Sequence, residues 1–83
     1  MTPIERAARA MYDETAPEWS WDDPDAELLR ALYRANARAA LSSLRDPTDA
    51  MCEAGGDHVA EADRITVDAI WTVMMDAALV QDV

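Results

Sequence analysis

The side chains with the greatest potential for chemistry lie between positions 42 and 61. His58 is the only histidine and Cys52 the only cysteine, and three acids lie beside them in the sequence: Glu53, Asp57 and Glu61. A zinc site needs three or four converging ligands, and neither a second His nor a second Cys is present. Ser42, Ser43 or Cys52 could act as a nucleophile with His58, but no nucleophile motif surrounds them. We therefore expect neither an enzyme nor a bound metal or cofactor.

The composition indicates an acidic binding protein. Arginine supplies all 7 basic side chains, Asp and Glu together supply 17 acids, and the net charge is −10. A surface this negative repels phosphates, which argues against direct binding to nucleic acid or to an anionic membrane. No apolar run approaches the ~18 residues that span a bilayer, and the first residues lack the apolar core of a signal peptide. The single cysteine fits a reducing compartment, so we expect a cytoplasmic protein.

The acids fall into two blocks that contain no basic residue. The first block runs from Asp13 to Glu27, and its candidate contact residues are Asp13, Glu14, Glu18, Trp19, Trp21, Asp22, Asp23, Asp25 and Glu27. The second block spans residues 46–63, and four of its acids recur every four residues: Asp49, Glu53, Asp57 and Glu61. A row of carboxylates resembles the phosphates of a nucleic acid strand and can compete for a cationic groove. The first block is the preferred contact surface, because aromatic and charged side chains together bind partners well.

Both kinds of charged residue also have a purely structural interpretation. Acids commonly provide solubility, and several of these acids could cap helices or neutralise nearby arginines. Four arginines recur on one side of the second predicted helix: Arg30, Arg34, Arg38 and Arg45. Such a stripe could bind phosphates. In so negative a field the arginines can instead pair with acids of the neighbouring helices or of a second copy, and we favour pairing within the chain.

The hydropathy pattern predicts a first helix that begins at Pro3 and ends near Glu14. Thr2 and Glu5 form a capping-box sequence around this proline. One face of the helix is apolar and comprises Ile4, Ala7, Ala8, Met11 and Tyr12. Residues 15–24 are predicted to form a loop, in which at least one of the two tryptophans fills the core and the other is exposed.

The second predicted helix begins at Pro24, with Asp23 as its N-cap, and ends at Arg45. Its apolar arc lies opposite the arginines and comprises Leu28, Leu29, Leu32, Tyr33, Ala39, Ala40 and Leu44. A third, short helix is expected from the Asp46-Pro47 pair to Ala54, before two glycines.

The last predicted helix runs from Ile65 to Val80, after an ambiguous segment at residues 57–64. Its apolar face comprises Val67, Ile70, Trp71, Val73, Met74, Ala77 and Ala78, and its solvated stripe comprises Asp68, Thr72 and Asp76. No segment alternates with the period of a strand. The sequence therefore predicts an all-α fold, in which residues 1–83 form a single domain. Its architecture would be a small antiparallel helical bundle of three main helices plus one short helix.

Three stretches of the chain, residues 4–13, 37–55 and 70–79, resemble small acidic proteins encoded by phages and prophages of alphaproteobacteria. The resemblance covers about half of the chain in the same order. It implies a phage accessory protein that acts in the cytoplasm of a bacterial host, and it carries no catalytic residues. Inhibitors of host defence are a known class among such proteins. Anti-CRISPR proteins belong to that class, and several of them resemble DNA in charge and occupy the cationic channel of a CRISPR effector.

These observations lead to one functional hypothesis and one alternative. The first is an anti-CRISPR protein that binds a positively charged DNA-binding surface of a CRISPR effector and blocks target DNA as an acidic DNA mimic. Its partner would be a host protein or ribonucleoprotein, without direct contact to nucleic acid or membrane, and the chain would be a monomer or homodimer. The alternative is a non-enzymatic helical adaptor or regulatory protein that self-associates through apolar helix faces.

Overall fold

A computed structural model of the chain describes residues 1–57 and 64–81, with the side chains of residues 64 and 65 left aside. The described residues form four α-helices and one 3₁₀ turn and contain no strand: α1 Pro3–Glu14, the 3₁₀ turn Pro24–Ala26, α2 Glu27–Ser43, α3 Asp49–Gly56 and α4 Arg64–Val80. The predicted all-α fold is confirmed. Helix α1 packs on α2, α3 packs on α4, and α4 also contacts α1 and α2. The molecule is elongated, with extents of 52 × 24 × 18 Å, and none of the described helices is long and apolar enough to cross a membrane.

Helix α1 begins and ends where the sequence predicts. The Thr2 hydroxyl accepts a hydrogen bond from the backbone N–H of Glu5 at 3.1 Å, which satisfies one of the unpaired donors of the first turn. The Glu5 carboxylate does not complete the capping box. It is nearly buried and accepts hydrogen bonds from Arg34 of α2, at 2.7 Å from Nε and 3.0 Å from Nη2. A residue expected to cap α1 therefore joins α1 to α2.

The core lies between α1, α2 and the loop that joins them. Its buried members are Ile4, Ala8, Tyr12, Trp21 and Ala37. Three of them come from the predicted apolar face of α1, and the tryptophan comes from the loop. Leu29, Tyr33 and Leu41 of α2 pack at the edge of this cluster.

The predicted apolar arc of α2 is only partly right. Leu29 and Tyr33 pack on the core, but Leu28, Leu32 and Leu44 are 86%, 53% and 51% exposed, whereas Ala37, outside the predicted arc, is fully buried. The helix is rotated so that Arg30 and Arg34 are half-buried, and the Arg34 guanidinium lies 5.8 Å from the centre of the Trp21 ring. An arginine can bury its aliphatic stem on an aromatic ring while its charged end meets a carboxylate.

Both boundaries of α2 and both boundaries of α3 also differ from the prediction. Asp23 caps a 3₁₀ turn rather than an α-helix, and α2 ends at Ser43 instead of Arg45. Helix α3 begins after Thr48, whose hydroxyl accepts the Met51 N–H at 3.2 Å, and not at the predicted Asp46-Pro47 pair. It continues through both glycines to Gly56, because a glycine is tolerated in the last turn of a helix.

The predicted apolar face of α4 is only partly covered. Val67 and Trp71 are half-buried, whereas Ile70, Val73 and Met74 are half or more exposed. The buried residue of this helix is Met75, which was not expected there. Two polar contacts hold α4 in this orientation about its axis. The Trp71 indole donates to the Leu44 carbonyl at 2.7 Å, and Arg45 pairs with Asp76.

Replacing Glu5 by glutamine tests the link between α1 and α2. The Arg34 hydrogen bonds hold the pKa of Glu5 below its ordinary value, and Glu5 in turn raises the pKa of Arg34. We expect Glu5→Gln to lower the free energy of unfolding by about 1–3 kcal/mol at neutral pH. A lowered pKa adds stability above the pKa of the unfolded state, about 4.3, and this stability is lost as the pH falls through the folded pKa. Urea titrations should therefore show the difference between wild type and Glu5→Gln shrinking in acid, and an unchanged difference would contradict the assignment.

Gly55 is where α3 comes closest to α4. A Cβ atom at this position would lie 2.7 Å from Cγ1 of Val67. Alanine favours a helix over glycine by about 1 kcal/mol, but an overpacked contact costs about 1–3 kcal/mol. We expect Gly55→Ala to lower the unfolding midpoint in urea and Val67→Ala to relieve this loss in the double variant. Equal effects in both backgrounds would mean that the two residues do not meet.

Candidate protein-binding surface

We define the acidic loop as residues 13–25, which includes the last two residues of α1 and the first two of the 3₁₀ turn. The chain leaves α1 through a strained residue. Thr15 closes the helix with its hydroxyl, which donates to the Tyr12 carbonyl at 2.7 Å. Ala16 follows with a φ of 51°, in the left-handed region that a residue with a Cβ rarely adopts. The chain thereby turns away from the helix axis just before Pro17. The predicted end of the helix and the predicted loop are both confirmed.

Aromatic side chains hold the acidic loop on the core. The ring of Tyr12 meets the rings of Trp21 and Tyr33 edge-on, with 5.5 Å between centroids in each pair. The Tyr12 hydroxyl donates to the Trp19 carbonyl at 2.6 Å. One residue of α1 therefore fixes the loop through both its ring and its hydroxyl.

Arg30 of α2 holds the second half of the acidic loop. Its Nη1 donates to the carbonyls of Trp21 at 2.6 Å and Asp23 at 2.7 Å. Its other nitrogens bind the Glu27 carboxylate at 2.7 and 3.1 Å. The Asp23 carboxylate accepts the backbone N–H of Asp25 at 2.8 Å and so starts the 3₁₀ turn. From the sequence, Arg30 was only one of four arginines in a stripe. In the structure, Arg30 positions the backbone of the acidic loop.

Six carboxylates of the acidic loop remain available to a partner. They belong to Asp13, Glu14, Glu18, Asp22, Asp23 and Asp25, and all are exposed except that of Asp23, which is half-buried. Among the side chains of residues 1–57 and 66–81, no guanidinium lies within 4.0 Å of any of them. The loop thus concentrates negative charge that no described guanidinium neutralises.

Glu27, the last acid of the first block, is in a different position. It forms an ion pair with Arg30 at 2.7 Å and lies 3.9 Å from Arg34. The hydrogen bond from Arg30 lowers the pKa of Glu27, and the charges of both arginines lower it further. Glu27 contributes to the structure of α2 more than to an open anionic surface.

The two tryptophans of the acidic loop have opposite environments, as the spacing predicts. Trp21 is 5% exposed and belongs to the core, so it is removed from the candidate contact residues. Trp19 is 55% exposed and borders an open groove of about 250 Å³ that also includes Pro17 and Leu29. A large apolar surface therefore lies among the free carboxylates.

Three of the four regularly spaced acids of the second block lie within the described residues. Asp49 and Glu53 lie on α3, Asp57 is the residue after its end, and all three are exposed. Glu61 lies outside the described residues. Because α3 runs through its glycines, the row continues unbroken from Asp49 to Asp57.

The arginine stripe pairs within the chain, as favoured from the sequence. Arg45 binds Asp76 at 2.6 Å, an interaction that lowers the pKa of Asp76 and raises that of Arg45, mainly through the hydrogen bond. Arg38 donates to the Leu79 carbonyl at 2.7 Å, near the negative end of the α4 dipole. With Arg30 and Arg34 also engaged, the stripe is a set of internal contacts.

The region first considered for chemistry lies only partly within the described residues. The thiol of Cys52 is buried with 1% exposure, and His58 and Glu61 lie outside the described residues. Among the residues that the structure describes, no three His, Cys, Asp or Glu side chains converge as metal ligands would. Ser43 donates to the Ala40 carbonyl at 2.6 Å, as serines in helices commonly do.

Removing the Tyr12 hydroxyl tests how the acidic loop is held. We expect Tyr12→Phe to keep the core, because the ring contacts remain, and to lower the free energy of unfolding by about 1 kcal/mol. Amide hydrogen exchange of residues 15–20 should accelerate more than that of α2. Uniform acceleration along the chain would show that the hydroxyl stabilises the whole fold and not the loop.

Comparisons with known proteins give no identity to set beside this geometry. No protein-family model, no curated protein and no solved structure matches the chain.

Proposed function

We propose that this chain is a phage anti-defence protein that binds a positively charged, nucleic-acid-binding surface of a host complex. The most concrete target is a CRISPR effector, whose binding of target DNA the chain would block as an acidic DNA mimic. The choice of a CRISPR effector rests on the resemblance to phage and prophage proteins described above. The choice of a cationic surface rests on the charges of the acidic loop.

One observation carries the proposal. Arg30, Arg34 and Arg45 neutralise Glu27, Glu5 and Asp76, yet the six loop carboxylates have no described guanidinium partner within 4.0 Å. Anionic groups so close in sequence repel one another, which raises the free energy of the isolated protein. A cationic groove relieves this repulsion and gains the attraction at the same time.

The rigid mounting of the acidic loop supports the same proposal. A mobile acidic tail would lose conformational entropy on binding, whereas a loop held by Tyr12 and Arg30 has already lost most of it. Trp19 adds an exposed aromatic surface beside the carboxylates. Buried aromatic side chains contribute much of the affinity at protein interfaces, and charged neighbours accelerate association.

The decisive variant neutralises four exposed loop acids that cap no helix: Asp13→Asn, Glu14→Gln, Glu18→Gln and Asp22→Asn. The matched control neutralises four acids elsewhere and has the same net charge: Asp46→Asn, Glu53→Gln, Asp57→Asn and Asp68→Asn. Each protein is added to a purified CRISPR effector ribonucleoprotein, and binding of labelled target DNA is measured. We expect the loop variant to associate with the effector at least about tenfold more slowly than wild type and to inhibit DNA binding less. The control variant should inhibit DNA binding as wild type does.

Four results would contradict the proposal in different ways. Full inhibition by the loop variant would remove the acidic loop from the mechanism, and loss in the control alone would move the contact to α3. Binding that stays constant between about 0.1 and 1 M salt would exclude electrostatic capture, because screening shortens the range of charges from about 10 Å to 3 Å. Absence of inhibition across effector types would exclude the CRISPR target, and affinity capture from host lysate, eluted with duplex DNA, would then test for other cationic targets.

A further inference from the structure

An apolar groove lies between α3 and α4, away from the acidic loop. It is open, measures about 460 Å³ and includes Met51, Cys52, Val67, Ile70, Trp71 and Met74. Among the described residues, no charged side chain contributes to its lining. A groove of this size and polarity, left in water, is unfavourable for an isolated chain.

The ridge beside the groove is apolar and uncovered as well. Ile70, Val73 and Met74 are 50%, 66% and 63% exposed, and their three- and four-residue spacing places them on one face of α4. Residues 69–75 contain no charged residue. Groove and ridge together form what we call the α4 surface.

The chain exposes more surface than a compact monomer of the same mass. The accessible surface is 5943 Å², whereas a compact monomer of 9.2 kDa exposes about 4900 Å². The radius of gyration is 16.1 Å, against about 12 Å for a compact chain of this length. This excess of about 1000 Å², taken over the whole chain, is enough to supply the roughly 800 Å² that each partner buries in a stable interface.

We propose that the α4 surface is the interface of a homodimer with twofold symmetry. A twofold axis brings the same patch of both copies together, so a patch that carries both a groove and a ridge can complete itself. Ile70 and Met74 of each copy would lie in the groove of the other. Methionine suits this position because its flexible side chain adapts to an irregular groove. The proposal does not depend on the function of the acidic loop, because that loop lies between α1 and α2, whereas the α4 surface belongs to α3 and α4.

The charge of the chain gives the dimer a distinctive salt dependence. Two copies with a net charge of −10 repel each other, and the contact itself is uncharged. Salt screens the repulsion, so the dimer should tighten between about 0.1 and 1 M salt. The affinity of the acidic loop for a cationic target should instead fall as salt rises. The two proposals can therefore fail separately.

The test measures the mass of the full chain by sedimentation equilibrium over a range of concentrations. We expect wild type to approach twice 9.2 kDa as concentration rises, with a lower dissociation constant in high salt. Ile70→Glu and Met74→Glu should each raise the dissociation constant more than about tenfold, because they place a charge in an apolar contact. Met74→Arg should also raise the dissociation constant. This result would show that burial of a charge weakens the dimer whatever the sign of that charge.

The matched control is Leu28→Glu, which adds the same charge at a side chain of α2 that is 86% exposed. It should leave the dissociation constant unchanged, and circular dichroism should show equal helix content in all variants. A mass of 9.2 kDa at every concentration and in high salt would overturn the proposal. So would dissociation by Leu28→Glu without an effect of Ile70→Glu, or a chain that stays monomeric and instead binds an added amphipathic helix.

Discussion

The ion pair between Glu5 and Arg34 determines how the rest of the molecule is arranged. It joins the first turn of α1 to the middle of α2, with 2.7 Å between Nε and the carboxylate, and the guanidinium of Arg34 lies over the Trp21 ring. Breaking a largely buried pair is costly because one charge is then left without a partner. The rotation of α2 follows from this contact, and with it the half-buried positions of Arg30 and Arg34. The exposure of Leu28 and Leu32 follows in turn.

This arrangement separates the charges of the protein into two groups. Each of the four arginines Arg30, Arg34, Arg38 and Arg45 engages an acid or a carbonyl of the chain itself, although Arg38 and Arg45 stay exposed. The carboxylates of the acidic loop stay unneutralised by described residues, although Arg30 lies close enough to bind two loop carbonyls. Because Arg30 binds backbone oxygens and Glu27, the loop is held in place without loss of its own negative charge.

The sequence predicted those features that depend on local chemistry. The cap at Thr2, the end of α1 before Pro17 and the loop that follows all come from short-range preferences, and the structure has them. The exposed Trp19 and buried Trp21 agree with the two-residue spacing. The rotation of α2 could not be predicted, because helical periodicity treats arginine as a solvated residue. Only the position of Glu5, 29 residues away in sequence, makes burial of the Arg34 stem favourable. The exposed side of α4 was missed for the same reason, since periodicity identifies an apolar face but not what covers it.

The contacts between α2 and α4 have a consequence for how the molecule opens. Near the end of α2 they include the Trp71 indole on the Leu44 carbonyl, the Thr72 hydroxyl on the Arg45 carbonyl, the Arg45 pair with Asp76 and Arg38 on the Leu79 carbonyl. These are polar contacts at partly exposed positions, whereas the aromatic cluster of α1 and α2 is buried. Contacts of that kind break at lower free energy than a packed core. The hairpin of α3 and α4 should therefore unfold locally as a separate cooperative unit, while the aromatic end keeps its native structure.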